Sequence, residues 1–176
     1  AGCVTQAGEQ SNNLARNAWL WLGKTWKTGA TTVDSQCGSA QQANHMISAL
    51  IQGGSLDIGI ACGVESMSRV GLGMNVMNGP GYFHPDGWPW DQTRDQFTSV
   101  ERMVKNRGLK REDIDKFAFE SQTKAAAAWK AGHFDREVLP IEAPILGEDG
   151  EPTGETRIVK MDQGIRPTTL EGLAAL

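Results

Sequence analysis

The pattern that most restricts the fold of this chain runs from residue 30 to residue 62. Ala30-Thr31-Thr32-Val33-Asp34 is rich in β-branched residues and reads as a strand. A turn of small residues around Cys37 follows. Ala40, Ala43, Met46, Ile47, Leu50 and Ile51 then recur at the 3.6-residue period of a helix, which Gly53-Gly54 stops. From Leu56 to Cys62 the chain is almost continuously apolar, as in a strand whose two faces are both covered. Strand, helix and strand in that order make a β-α-β unit of a parallel sheet. Its right-handed crossover would set the turn at the C-terminal edge of the sheet, where open α/β folds gather their ligands.

That turn makes Cys37 the candidate nucleophile. At a helix start the free backbone N–H groups and the positive end of the macrodipole favour an anion, so sulfur there is expected to react as thiolate. Cys3 and Cys62 lie in short apolar or small-residue runs that look like buried strands, where cysteine behaves as a small hydrophobe. The three cysteines form no CxxC pair and no ligand spacing with His45, His84 or His133, so no metal site is expected. An odd count of this kind suits free thiols in a reducing, cytoplasmic compartment.

A chain of 176 residues with 39% hydrophobic and 22% charged residues can bury a core of its own. Its formal charge of −4 and pI near 5.4, without any Lys/Arg block, argue against nucleic acid or an anionic membrane as partner. Small molecules or other proteins fit better. No apolar run approaches the roughly 20 residues of a membrane span, and Ala1-Gly2-Cys3-Val4 lacks the regions of a signal peptide.

Around the β-α-β unit the other elements are legible by period and punctuation. Leu14, Ala18 and Trp21 or Leu22 mark a helix face with Ser11 as its expected N-cap and Gly23 as its stop. Residues 70–92 carry five glycines, three prolines, two methionines and four aromatic residues, so they read as a long apolar loop, either a functional cover or a segment lying on its own core. Phe97, Val100 and Val104 share a helical face closed by Gly108. A longer helix is expected over 112–131 with Gly132 as its stop, and 137–145 with 155–161 as a hairpin around the polar 147–152 turn. The expected division is a parallel unit over 1–69 and an α+β unit over 70–176.

The motifs resemble one family. Val33-Asp34-Ser35-Gln36-Cys37-Gly38-Ser39-Ala40, followed by Asp57-Ile58-Gly59-Ile60-Ala61-Cys62-Gly63-Val64-Glu65-Ser66-Met67-Ser68, resembles the active-cysteine block of thiolases, the acetyl-CoA acyltransferases. Gly2-Cys3-Val4-Thr5-Gln6 resembles the segment before it. Arg111-Glu112-Asp113-Ile114, Ser121-Gln122 and Phe134-Asp135-Arg136-Glu137 resemble the family's loop domain. The Gln41-Gln42-Ala43-Asn44-His45 and Ser68-Arg69-Val70-Gly71 details are similar to degradative thiolases of actinobacteria, including those acting on bulky or steroid-derived acyl chains.

The resemblance implies a layered α/β/α fold with an inserted α+β loop domain, of which these residues form part. It implies Cys37 as the acyl-carrying nucleophile in the cleavage of a 3-ketoacyl-CoA by CoA, with CoA as co-substrate and no further cofactor. The Cys37 N–H would belong to an oxyanion hole, and the subunits would assemble as dimers or tetramers. Arg166, in Gln163-Gly164-Ile165-Arg166, matches an arginine near the CoA adenine and phosphates, a role suited to a guanidinium. Three family motifs are missing: Gly-His-Pro, Asn-Glu-Ala-Phe and Cys-x-Gly, which supply the catalytic base, a water-orienting group and a second cysteine. The chain therefore resembles part of a roughly twofold larger protein, and alone it would hold the nucleophile without completing turnover. Asp95-Gln96 replaces the His-Met pair of biosynthetic members, which points to a longer acyl substrate. Two other readings share the cysteine logic: a non-catalytic thiolase-like lipid-binding or scaffold protein, and a β-ketoacyl synthase, whose pattern fits Glu65-Ser66-Met67-Ser68 less well.

Overall fold

The structure is a computed structural model that describes residues 1–77, 87–91, 93 and 95–176. Contacts divide the chain into two compact units, Ala1–Trp88 and Pro89–Leu176, so residues 70–88 group with the first.

In the first unit three extended segments run parallel. Gly2 pairs with Val33 on one side and Gly63 on the other. Its N–H donates to Cys62 C=O at 2.8 Å and its C=O accepts from Val64 N–H at 3.0 Å, while Cys3 N–H reaches Val33 C=O at 3.1 Å. The two strands expected at 30–34 and 56–62 are thus parallel neighbours of the Gly2 segment, joined by single bridges and not by long ladders.

Helix α2, Ser39–Gln52, connects the outer segments, with Gly53 as its C-cap and Gly54 at φ +71° turning the chain away. It lies on glycine. A Cβ on Gly2 would stand 2.4 Å from Ala40 N and 2.4 Å from Ser39 C, and one on Gly63 would stand 2.9 Å from Ala40 Cβ. Gly59 repeats the device further along, facing Ile47. The period of two along an extended chain then turns Ile58 and Ile60 to the other face, where they are 85% and 66% exposed. This corrects the expectation of a strand covered on both faces, and Cys62 is likewise exposed whereas Cys3 is buried.

Helix α1, Leu14–Trp21, starts two residues later than Ser11 would cap it. Asn12 and Asn13 take φ +56° and +57°, and Ser11 Oγ donates to Gly8 C=O. Asn13 stands at the cap position, but its side chain is used elsewhere: Nδ2 donates to Ala30 C=O at 2.8 Å and Oδ1 accepts from Thr32 Oγ1. A tertiary fastening of the 30–32 segment has replaced the local cap.

Glu65 stitches the same unit from below. Its carboxylate accepts from Val4 N–H at 2.9 Å, from Thr5 N–H at 3.1 Å and from Gln10 Nε2 at 3.3 Å. The buried Gln10 also donates to Thr5 C=O and accepts from Ser66 N–H at 2.6 Å. Donors at Thr5, then at Val4, hold the Glu65 carboxyl below the usual carboxylate range. Because the Thr5 hydroxyl is buried and falls outside hydrogen-bonding geometry to any described atom, the two backbone amides carry the interaction. Glu9 and Arg69 form an exposed two-point ion pair nearby, and the guanidinium lowers the Glu9 carboxyl in turn.

The loop expected over 70–92 falls partly on residues 78–86 and 92, which lie outside the described residues, as does His84. Of the rest, Met74–Val76 is one short 3-10 turn, Val70 is buried, and Leu72, Met77 and Trp90 are exposed.

In the second unit α3 spans Gln96–Arg107. Asp95 caps it by accepting from Thr98 N–H at 2.7 Å, and Gly108 at φ +63° ends it. Helix α4, Arg111–Lys130, has Glu112 and Asp113 in its first turn and Lys130 in its last, matching the macrodipole. Arg111 donates to the buried Asp115 at 2.8 Å and to Leu173 C=O at 2.6 Å, tying α4 to the short α5, Leu170–Ala174. The hairpin pairs β1, Ile141–Leu146, with β2, Pro152–Val159, antiparallel. Its register shifts between Pro144 and Leu146, where proline has no N–H to give. The first strand begins later than expected: Val138 N–H turns back to Phe134 C=O, and the Phe134 ring packs 5.0 Å from that of Trp129.

Two outcomes follow from the first unit. Gly59→Ala meets the Ile47 side chain, with Cγ2 2.6 Å from the added Cβ, and should cost about 1–3 kcal/mol, the range of an overpacked core. Gly2→Ala meets rigid backbone and should lower the urea midpoint further; equal midpoints for the two variants would refute the glycine seat. Glu65 has a lowered folded-state pKa, so its contribution is present above the usual carboxylate range and lost as pH falls through the lowered value. Glu65→Gln should therefore flatten the acid limb of stability against pH, read from urea midpoints across that range.

Candidate active site

Cys37 stands in a loop that the chain holds by its own side chains. Asp34 Oδ1 accepts from Gln36 N–H at 2.8 Å, an Asx-type turn. Ser39 is buried; its Oγ accepts from Ser35 N–H at 2.9 Å and donates to Gln36 C=O at 2.5 Å. Gly38 and Ser39 N–H close the turn onto Ser35 and Gln36 carbonyls at 3.1 and 3.0 Å.

Gln36 is forced to φ +47° inside these bonds. A non-glycine residue in that region carries strain on the order of 1–3 kcal/mol, and it persists only where neighbours over-determine it. Gly38 is also constrained, since a Cβ there would sit 3.3 Å from Ser35 C=O. The turn thereby sets Cys37 immediately before Gly38, the N-cap of α2, with its side chain exposed. Its N–H donates to no acceptor among the described residues. An exposed sulfur, a free amide and a helix start meet at one point.

The other thiols differ. Cys3 is 1% exposed, and burial, then the Glu65 and Asp34 charges, push its thiol up, so the anion is disfavoured. Cys62 is exposed, but it belongs to an extended segment and not to a helix start.

Within the first unit, His45 does not stand beside Cys37. His45 is eight positions along, about 12 Å at the helical rise of 1.5 Å per residue, and its Nε2 meets Gln41 Nε2 at 3.3 Å on the exposed side of α2. His133 belongs to the second unit, beyond the end of α4. Among the described residues no three His, Cys, Asp or Glu side chains gather closely enough to hold a metal ion.

Arg166 lies in the second unit, on the irregular segment between the hairpin and α5. Gln122 of α4 holds that segment from both sides of Ile165: Nε2 donates to Gly164 C=O at 3.3 Å, and Oε1 accepts from Arg166 N–H at 3.0 Å. Asp162 Oδ1 accepts from Gly164 N–H at 2.7 Å, and Thr168 Oγ1 donates to Arg166 C=O at 3.1 Å. The guanidinium has no hydrogen bond or ion pair among the described residues, so its donors are open to an anion. Sequence reasoning placed Cys37 and Arg166 but gave no part to Asp34, Ser39, Glu65 or Gln122. The Asp-x-Gln spacing before the cysteine was a signal for the Asx turn; nothing local marked Gln122, whose partners lie 42 and 44 residues away.

Comparison with known proteins identifies the family. The family model for the thiolase N-terminal domain matches residues 1–176. The chain is 33% identical to a steroid 3-ketoacyl-CoA thiolase of Mycobacterium tuberculosis, with 100% of the chain and 43% of that protein aligned. It is 42% identical to a 3-ketoacyl-CoA thiolase of Aliivibrio salmonicida, over 99% of the chain and 43% of that protein. Among solved structures, a thiolase from Ascaris suum in complex with coenzyme A superposes with a TM-score of 0.69 at 26% identity, over 98% of this chain and 44% of that one. The chain thus spans less than half the length of these relatives. A cysteine turn ahead of α2, parallel segments whose glycines seat that helix, and a family match running from the first residue to the last lead to one conclusion: the chain belongs to the thiolase family.

Proposed function

We propose that these residues supply the nucleophile and part of the CoA site of a degradative thiolase, an acyltransferase that cleaves a 3-ketoacyl-CoA with CoA. The observation that carries the reading is the exposed Cys37 sulfur beside an unengaged N–H at the start of α2. Residues 1–69 then form part of the nucleophile-bearing domain and 70–176 the loop domain, in a subunit that self-associates as a dimer or tetramer.

The reaction divides into two transfers. Cys37 sulfur, as thiolate, adds to the C3 carbonyl carbon of the 3-ketoacyl-CoA. The C2–C3 bond then breaks, its electron pair leaves on the acetyl-CoA enolate, and protonation at C2 releases acetyl-CoA. The shortened acyl group stays as a thioester on Cys37. CoA, deprotonated at its thiol, attacks that thioester, and Cys37 departs as thiolate with a shortened acyl-CoA formed. Sulfur serves both directions because the thiolate is a strong nucleophile near neutral pH and a competent leaving group. The Cys37 N–H is placed to receive a developing oxyanion, and the fixed turn spares reorganisation at the moment of reaction. His45 is engaged with Gln41 on the exposed side of α2 and does not serve to move the protons; the family resemblance gives that work to a histidine and a second cysteine outside the motifs present in this chain.

Arg166 suits the CoA phosphates or adenine through an open guanidinium. The names of the matched relatives, including 3-ketoacyl-CoA, steroid 3-ketoacyl-CoA and β-ketoadipyl-CoA thiolases, support the catalytic reading over a non-catalytic lipid carrier. Asp95, which with Gln96 stands where the resemblance puts a His-Met pair in biosynthetic members, caps α3.

Cys37→Ala should abolish acyl-enzyme formation while leaving thermal unfolding essentially unchanged, because the side chain is exposed; an acyl adduct by intact mass on that variant would overturn the assignment. Iodoacetamide at neutral pH should label Cys37 ahead of Cys62, although both are exposed, and far ahead of buried Cys3. Equal rates at Cys37 and Cys62 would mean that the helix start does nothing for reactivity.

A further inference from the structure

The geometry points to Gln122 as a positioning residue for Arg166, acting on CoA binding through the backbone of the 164–166 segment. This rests on the reading of Arg166 as a CoA contact.

A carboxamide presents one acceptor and two donors in a plane, the same chemistry as a peptide group. Gln122 takes Gly164 C=O and Arg166 N–H together, on either side of Ile165, so one side chain pins two backbone groups of the segment. Both anchors lie on the backbone, so the bond pair fixes the direction of the segment while leaving the guanidinium free.

The rest of the segment has only short-range support. Asp162 braces Gly164 and Thr168 braces Arg166, each across two residues. Gln122 is the one described side chain that binds this stretch to a long helix, α4, which Arg111 also links to α5 beyond it. Without that clamp the Arg166 backbone keeps its local turns and loses its reference to α4. A long side chain reaching for phosphate would then have to be ordered at each binding event, at a cost in affinity.

The test uses steady-state kinetics of the active full enzyme with CoA varied. Gln122→Met keeps the length of the side chain and removes both bonds. It should raise KM for CoA about threefold to tenfold, the range of one or two lost neutral hydrogen bonds, with kcat little changed. In the Arg166→Ala background the same substitution should add nothing, because the residue acts through Arg166. A purely structural glutamine would instead lower thermal stability and raise KM equally in both backgrounds, which would overturn the inference. If Arg166→Ala raises KM but Gln122→Met does not, the positioning role alone fails. If Arg166→Ala leaves KM unchanged, the CoA assignment fails and the positioning role fails with it.

Discussion

The contact of α2 with Gly2 is the constraint on which the first unit depends. Helix backbone at Ser39 and Ala40 approaches the Gly2 segment so closely that a single methyl group would collide with main-chain atoms. A helix can sit that near a parallel segment only where the floor has no side chain. Because the seat is at the helix's first turn, it determines where α2 begins, and the reactive turn ends at that point. The position of the Cys37 sulfur is therefore set by an absence of atoms 35 residues earlier in the chain.

The loop itself adds a second layer of control. Asp34 and Ser39 are ordinary cap and turn residues, yet together they hold Gln36 in a left-handed conformation that few side chains adopt. Strain at one residue is sustained by bonds from its two flanks, and the outcome is a fixed sulfur with a free amide beside it. Below, Glu65 and Gln10 join the ends of the first and third extended segments, so the parallel arrangement does not rest on two single bridges alone. In the second unit, the same logic operates through Arg111 and Gln122, two side chains of α4 that hold distant backbone.

Helices were the most legible part of the sequence. The starts and stops of α2, α3 and α4 agree with their apolar period and their terminal glycines to within a residue or so, because cap, period and stop are local properties. The cap of α1 was misread, since Ser11 offered a local cap and the chain used Asn13 to fasten residues 30–32. The apolar run at 56–62 announced an extended segment correctly, but its period could not say which face would be covered. Gly59 decides that by admitting Ile47, which leaves Ile58 and Ile60 on the open side.

By itself, then, the sequence determined the β-α-β order, the glycines that permit close approach, and a cysteine placed at the start of a helix. These are consequences of period and of what each residue type can do with its own backbone. Tertiary structure alone decided that Cys62 is open while Cys3 is sealed, how Glu65 gathers the amides of Val4 and Thr5, and that Gln122 reaches the segment of Arg166. Each of those depends on groups separated by many residues, and no local pattern encodes a distance that only the folded chain closes.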